Sequence, residues 1–253
     1  MKNTVCTRIN AAFRPIALSL FFILITGPFP AYAGLAEGLA AYDRADYAAA
    51  FKELAPLAEK GDAAAQYRMG KMTSLGQGVA RDARGAAEWF HKAAEQGVAE
   101  AQAALGYLCL VGEGVSQNND LALAWTRKAA EQGDALAQFN LAVMHGDSYG
   151  IRKNPAESLK WMRKAAEQGQ KDALISLARM YQEGRGVARD PVIAFMMFEL
   201  AGRNGHADAF KGQHAVAEKM SSVQVQEARN LADAWKKGML LPARSKSGGK
   251  KSP

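Results

Sequence analysis

A hydroxyl nucleophile and an amine base stand one helical turn apart at Ser247 and Lys250, the Ser-x-x-Lys spacing of several acyl-transfer enzymes. Such a pair works only on a rigid scaffold. Here it lies in a segment rich in Ser, Gly, Pro and Lys that cannot bury apolar surface, so acyl transfer is not expected. His91, His145, His206 and His214 have no metal-ligand spacing and do not form His-Glu-x-x-His, so no zinc-hydrolase helix is encoded. The Gly-x-Gly strings at Gly76, Gly112 and Gly184 lack the preceding strand of a dinucleotide fingerprint and are helix connectors instead. No cofactor, no metal and no catalytic constellation are therefore expected.

The same strings recur with a fixed period. Lys-Ala-Ala-Glu-Gln-Gly ends at Gly97, Gly133 and Gly169, with looser copies ending at Gly61 and Gly205, each 36 residues from the next. Trp89, Trp125 and Trp161 keep this period, with Met197 in the fourth place. So do the turns Gly76 to Val79, Gly112 to Val115 and Gly184 to Val187, with Ser148 to Ile151 as a degenerate copy. A period of this length identifies a tandem array in which each unit is one supersecondary motif.

Each period predicts two helices and two turns. Ala65, Met69 and Met72 line one face of a first helix, which Gly76 can end in the left-handed conformation. Asp82, Asn118, Asn154 and Asp190 share one position from which an oxygen can cap the second helix, and Pro155 and Pro191 fit its first residue. Asp62 and Asp134 can cap first helices. Gly70, Gly106, Ala142 and Ala178 share a position where a larger side chain would push neighbouring helices apart, and the Trp fills the space between hairpins. Neither hairpin can bury its apolar face alone, so neighbours must stack.

Leu-Gly in the first helix, Gly-x-Gly-Val, Trp and Lys-Ala-Ala-Glu-Gln-Gly together resemble the Sel1-like repeats, relatives of the tetratricopeptide repeats. The resemblance implies an all-α, right-handed α-solenoid of helix-turn-helix repeats with a concave side. Four copies span 62–205. An N-terminal partial repeat, 34–61, precedes them, with a turn at Asp43 to Asp46 between Tyr42 and Tyr47. Capping helices follow over 206–238, opening a last helix at Ser221 with a possible capping box and offering Val223, Ala228, Leu231 and Trp235 to the final apolar face. The basic segment 239–253 is expected to be disordered.

The chain opens with a basic stretch holding Lys2, Arg8 and Arg14, then an apolar run from Ile16 to Ile25 that is shorter than the roughly 20 residues a membrane span needs. Gly27, Pro28, Pro30 and Ala31-Tyr32-Ala33 follow, the pattern of a signal peptide cut after Ala33. The expected destination is the periplasm or the exterior. Cleavage would leave Cys109 as the single cysteine, so no internal disulfide is expected. The formal charge of +7 is concentrated at the ends, with +3 in the leader and +6 from Lys236 onward, leaving about −2 for 34–235. A body of that charge is no nucleic-acid platform. The basic tail could touch an anionic surface.

The resembled family consists mostly of adaptors and regulators, many in the bacterial envelope, that bind proteins along the concave face. It implies a monomeric, non-catalytic scaffold or regulator of an envelope signalling or assembly protein. The alternative is an assembly factor for polysaccharide or cell-wall machinery. Cysteine-rich relatives linked to β-lactam binding or hydrolysis have paired cysteines that this chain lacks. If tetratricopeptide geometry holds, residues spaced by four on the first helices face the channel: Tyr67 and Lys71, Ala103 and Tyr107, Phe139 and Val143, Ile175 and Arg179. From these, Tyr67, Lys71, Tyr107, Phe139, Val143 and Arg179 are the candidate partner-binding residues. Phe139 and Ile175 could instead pack between helices.

Overall fold

The computed structural model describes residues 30–147 and 152–242. The leader up to residue 29, the degenerate turn at Ser148 to Ile151 and the tail from residue 243, with Ser247 and Lys250, lie outside the described residues.

The described residues form twelve helices and no strand, an all-α tandem array of the α-solenoid class. They are α1 (Pro30–Asp43), α2 (Tyr47–Glu59), α3 (Ala63–Leu75), α4 (Ala83–Glu95), α5 (Ala99–Val111), α6 (Asn119–Glu131), α7 (Ala135–Asp147), α8 (Pro155–Glu167), α9 (Lys171–Glu183), α10 (Pro191–Arg203), α11 (Ala209–Ala217) and α12 (Ser222–Ala234). None is long and apolar enough to cross a membrane. The chain divides into two compact units, Met1–Gly133 and Asp134–Pro253.

In the first unit the hairpins α1–α2, α3–α4 and α5–α6 stack in sequence. Each helix is bounded by the residues its backbone requires. Asp62 accepts from the Ala65 amide at 2.8 Å, Asp82 from Arg84 and Asn118 from Leu121, so orphan amides of each first turn are satisfied. Gly76 and Gly112 end α3 and α5 at φ +69° and +76°. The cap residues also close the hairpins. The Asp82 amide donates to the Thr73 carbonyl at 3.0 Å and the Asn118 amide to Cys109 at 2.8 Å. The turn at Asp43 to Asp46 joins α1 to α2, and Leu35, Leu39 and Tyr42 of α1 pack on a core of Ala50, Leu54, Ala58, Ala65, Met69 and Met72.

The second unit repeats the plan with α7–α8 and α9–α10. Asn154 donates to the His145 carbonyl and Asp190 to Tyr181, both at 2.9 Å, one and two periods beyond Asn118. Two further helices then pack on α10, whose every residue from Val192 to Phe198 is buried. Ser221 and Gln224 form the capping box that opens α12. Its buried residues are Ala228 and Ala232, whereas Val223, expected on the apolar face, is 76% exposed. The register of α12 on α10 is set by these small alanines, and Arg203 of α10 fixes it by donating to the Ala232 carbonyl and pairing with Asp233.

The small-residue position behaves as expected. A Cβ added at Gly70 would meet the Phe90 ring at 2.7 Å, and one at Gly106 would meet Thr126 Oγ1 at 2.5 Å. Ala142 and Ala178, its later counterparts, are fully buried.

Candidate binding surfaces

In the first unit, Tyr67 and Lys71 lie half-buried on α3, while Tyr107 on α5 is 52% exposed and Ala103 is buried. One turn beyond Lys71 and Tyr107 stand Leu75 and Val111, 60% and 46% exposed. Lys71 and Leu75, and Tyr107 and Val111, are spaced by four, so each pair shares a helix face. These faces combine apolar and aromatic groups with a cation, the composition of an interface rather than of an ordinary solvated surface. Leu75 and Val111 were legible in the sequence, one step further along the spacing that picks out Lys71 and Tyr107. Beside Tyr67 lies Arg68, half-buried, a residue the spacing did not select.

In the second unit, Phe139 and Val143 are half-buried on α7, Arg179 is exposed on α9, and Ile175 is 3% exposed and packed between helices. Val143 and Arg179 line a groove of about 740 Å³ between the C-terminal turn of α7, the start of α8 and the end of α9. Phe139 is not among its lining residues. The groove's apolar walls are Leu159, Met162 and Met180, with Ser158, Ser176, Arg179 and Arg185 supplying polar groups. An apolar wall with a few convergent polar groups at this volume is the general form of a binding site.

The groove has an identifiable origin. In the first unit the second glycine of each connecting turn rests on the start of the preceding hairpin's second helix. A Cβ at Gly78 would lie 2.6 Å from the Tyr47 carbonyl oxygen, and one at Gly114 would overlap the backbone of Ala83. Gly186, the same position in the second unit, has only the Met180 methyl near it, at 3.4 Å. The turn there stands off α8, and the gap is the groove.

Two further periodic features support the helices that carry these surfaces. Lys92, Lys128 and Lys164 place their ammonium groups 4.2, 4.2 and 4.4 Å from the rings of Trp89, Trp125 and Trp161. These are cation–π contacts within one helix. Gln96, Gln132 and Gln168 each donate from the side chain to Gln66, Gln102 and Gln138, at 2.7, 2.8 and 2.9 Å. Gln66 and Gln102 in turn donate to the Ala58 and Ala94 carbonyls. These amide clasps tie three successive helices together, and the buried Gln66, Gln102 and Gln138 were not foreseen although they keep the period.

A hydrogen bond from the Lys160 ammonium, 3.1 Å away, holds the Glu157 carboxyl below the ordinary carboxylate range. That pair stabilises the fold above the ordinary carboxyl pKa, and the effect is lost as pH falls through the lowered value. The pair is exposed, so the contribution is small. His91 and His214 face the glutamates one turn on along their own helices, and His206 faces Asp172 at 3.5 Å. Among the described residues no three His, Cys, Asp or Glu side chains are grouped as metal ligands. Cys109 is buried.

A family model described as Sel1 repeat matches residues 63–98, 99–134, 135–170 and 171–206. Among solved structures, a Sel1 repeat protein from Oxalobacter formigenes is 30% identical, with 78% of this chain and 82% of that chain covered and a TM-score of 0.67. The protective antigen c5321 of uropathogenic Escherichia coli, which displays an SLR fold, is 29% identical over 81% of this chain, with a TM-score of 0.53. The match takes in 53% of that antigen's length. No match was found among the curated proteins.

Proposed function

Because the chain belongs to the Sel1 repeat family, whose members generally mediate protein–protein interaction and are typically non-catalytic scaffolds, we propose that it is a non-catalytic periplasmic scaffold or regulator that holds a partner protein. The partner is an envelope signalling or assembly protein, held by the first-helix faces of the repeats. The observation that carries this is the groove at Val143 and Arg179, which sets two arginines beside an apolar wall. Tyr107, Leu75 and Val111 offer the same kind of contact on the first unit. A leader cut after Ala33 fits this, since Leu35, Leu39 and Tyr42, the α1 side chains packed on the core, all remain in the mature chain.

The test is partner capture from envelope extracts, with identification by mass spectrometry, using the wild type, the double variant Tyr107→Ala/Arg179→Ala and a chain lacking residues 241–253. Both substituted residues are exposed, so folding should change by under about 0.5 kcal/mol each. Capture should fall at least about thirtyfold, because a hot-spot aromatic or arginine contributes about 2 kcal/mol or more. Tail deletion should leave capture intact at high salt. Full capture by the double variant, with loss only on tail deletion, would make the repeats a spacer for a basic tether.

A further inference from the structure

The first repeat carries a charge cluster that the other three lack. The Arg68 guanidinium carbon lies 4.9 Å from the centre of the Tyr42 ring and 5.7 Å from that of Tyr67. The Lys71 ammonium lies 5.4 and 5.9 Å from the same two rings. Tyr42 is itself fixed. Its hydroxyl donates to the Gln77 side chain at 3.2 Å, Gln77 donates to the Tyr47 hydroxyl at 2.9 Å, and the Tyr42 and Tyr47 rings meet edge to face.

One period on, the positions of Arg68 and Lys71 hold Ala104 and Tyr107, then Asn140 and Val143, then Ser176 and Arg179. Stacking of the repeats therefore does not require the two cations. Among the described residues no carboxylate pairs with either, although both are half-buried. Two positive charges drawn to the same rings repel each other. The ring faces offset part of that repulsion, and an anion set between the cations would offset the rest.

We propose that Tyr42, Tyr67, Arg68 and Lys71 form a receptor for the carboxylates of an acidic, amphipathic segment of the partner. This rests on the protein-binding function proposed above and adds the partner's chemistry. The planar Arg68 fork suits a carboxylate, which it can hold through two parallel bonds. The flanking residues choose a peptide over a small anion or a uniformly charged polymer. Leu75 lies one turn beyond Lys71 and is exposed, and Tyr107 and Val111 expose equivalent positions on α5. A segment that places leucine or phenylalanine beside its glutamates covers these groups; a phosphate ion or a chain of phosphates leaves them wet.

The test is a nuclear magnetic resonance titration of the purified protein with a blocked peptide alternating Glu pairs with Leu and Phe, its Gln-for-Glu counterpart, and inorganic phosphate. Saturable shifts are expected at the Arg68 side-chain Nε–H, the Tyr42 and Tyr67 rings and the Leu75 methyls. The Gln peptide should bind at least tenfold more weakly, as should the acidic peptide to Arg68→Gln/Lys71→Gln. Arg68→Lys, which keeps the charge but loses the fork, should fall between and covers the case in which the double variant melts early. Equal affinity in the variants, phosphate as effective as the peptide, or shifts confined to Lys236, Lys237 and the tail would each overturn the assignment. Partner capture separates the two levels: undiminished capture by Arg68→Gln/Lys71→Gln removes the carboxylate receptor alone, whereas no capture by the wild type removes the scaffold.

Discussion

A methyl group added at Gly106 would meet not only the Thr126 hydroxyl but also the Thr126 amide nitrogen at 3.0 Å and the Ala122 carbonyl at 3.2 Å. Backbone cannot turn aside as a side chain can. Gly106→Ala should therefore destabilise the protein by about 1 to 3 kcal/mol through overpacking, even though alanine is favoured over glycine in a helix by about 1 kcal/mol. Gly70→Ala should cost less, since the obstruction there is the Phe90 ring. Urea midpoints of the two variants check this, and the opposite order would mean that α5 and α6 can separate freely. Trp125 is 4% exposed and stacked under Lys128, so Trp125→Ala should cost about 3 to 5 kcal/mol. Trp235 follows α12, is half-buried and donates to the Met239 carbonyl. Its replacement by alanine should cost less, and denaturant midpoints in the reverse order would misplace the core.

The helices and their ends were legible in the sequence because they answer to local physics. Caps such as Asn118 and left-handed glycines such as Gly112 act within one turn of chain, so type and spacing suffice to find them. Side-chain pairings between hairpins were not legible. Gln66, Gln102 and Gln138 keep the period as plainly as the tryptophans, yet nothing local says that an amide in a first helix will meet the Gln that ends the next second helix, 30 residues on. Val223 of α12 was misjudged for a similar reason, while Ala228 was placed correctly on the buried face. An apolar Val223 fits a buried face by pattern, but close approach to α10 is possible only through Ala228 and Ala232. Of the side chains gathered around Tyr42, those of Tyr67 and Lys71 lie on the spacing by four that picks out the candidate residues, whereas Arg68 lies outside it. The clasps give the element-scale prediction. The fourth repeat has Leu174 and Asn204 where the others have Gln and Gln. Gln102→Leu alone should cost about 1 to 3 kcal/mol because the partner amides lose their bonds, and Gln132→Asn in the same chain should recover part of it. A double-mutant cycle measures the coupling, and strict additivity would dismiss the clasp as a source of stability.

For the whole molecule, the export proposal bears on how charge is distributed. The excess of positive charge lies at the two ends, and removal of the leader would leave a nearly neutral body carrying a basic tail. N-terminal sequencing of protein made in a Gram-negative host should give Gly34 as the first residue of periplasmic material, and recovery of soluble protein with its leader intact would end the export proposal. The enclosure of α10 bears on how such a chain reaches its folded state. Every residue from Val192 to Phe198 is buried, and the cover that α9 does not supply comes from α11 and α12, which follow it in sequence. A chain emerging N-terminus first, from a ribosome or across a membrane, therefore presents the faces of α10 that α9 leaves open until Ala234 is out. During that interval the most adhesive part of the molecule is its newest, and a premature stop between Arg203 and Ser222 would leave a product that quality-control proteases can recognise by that surface alone.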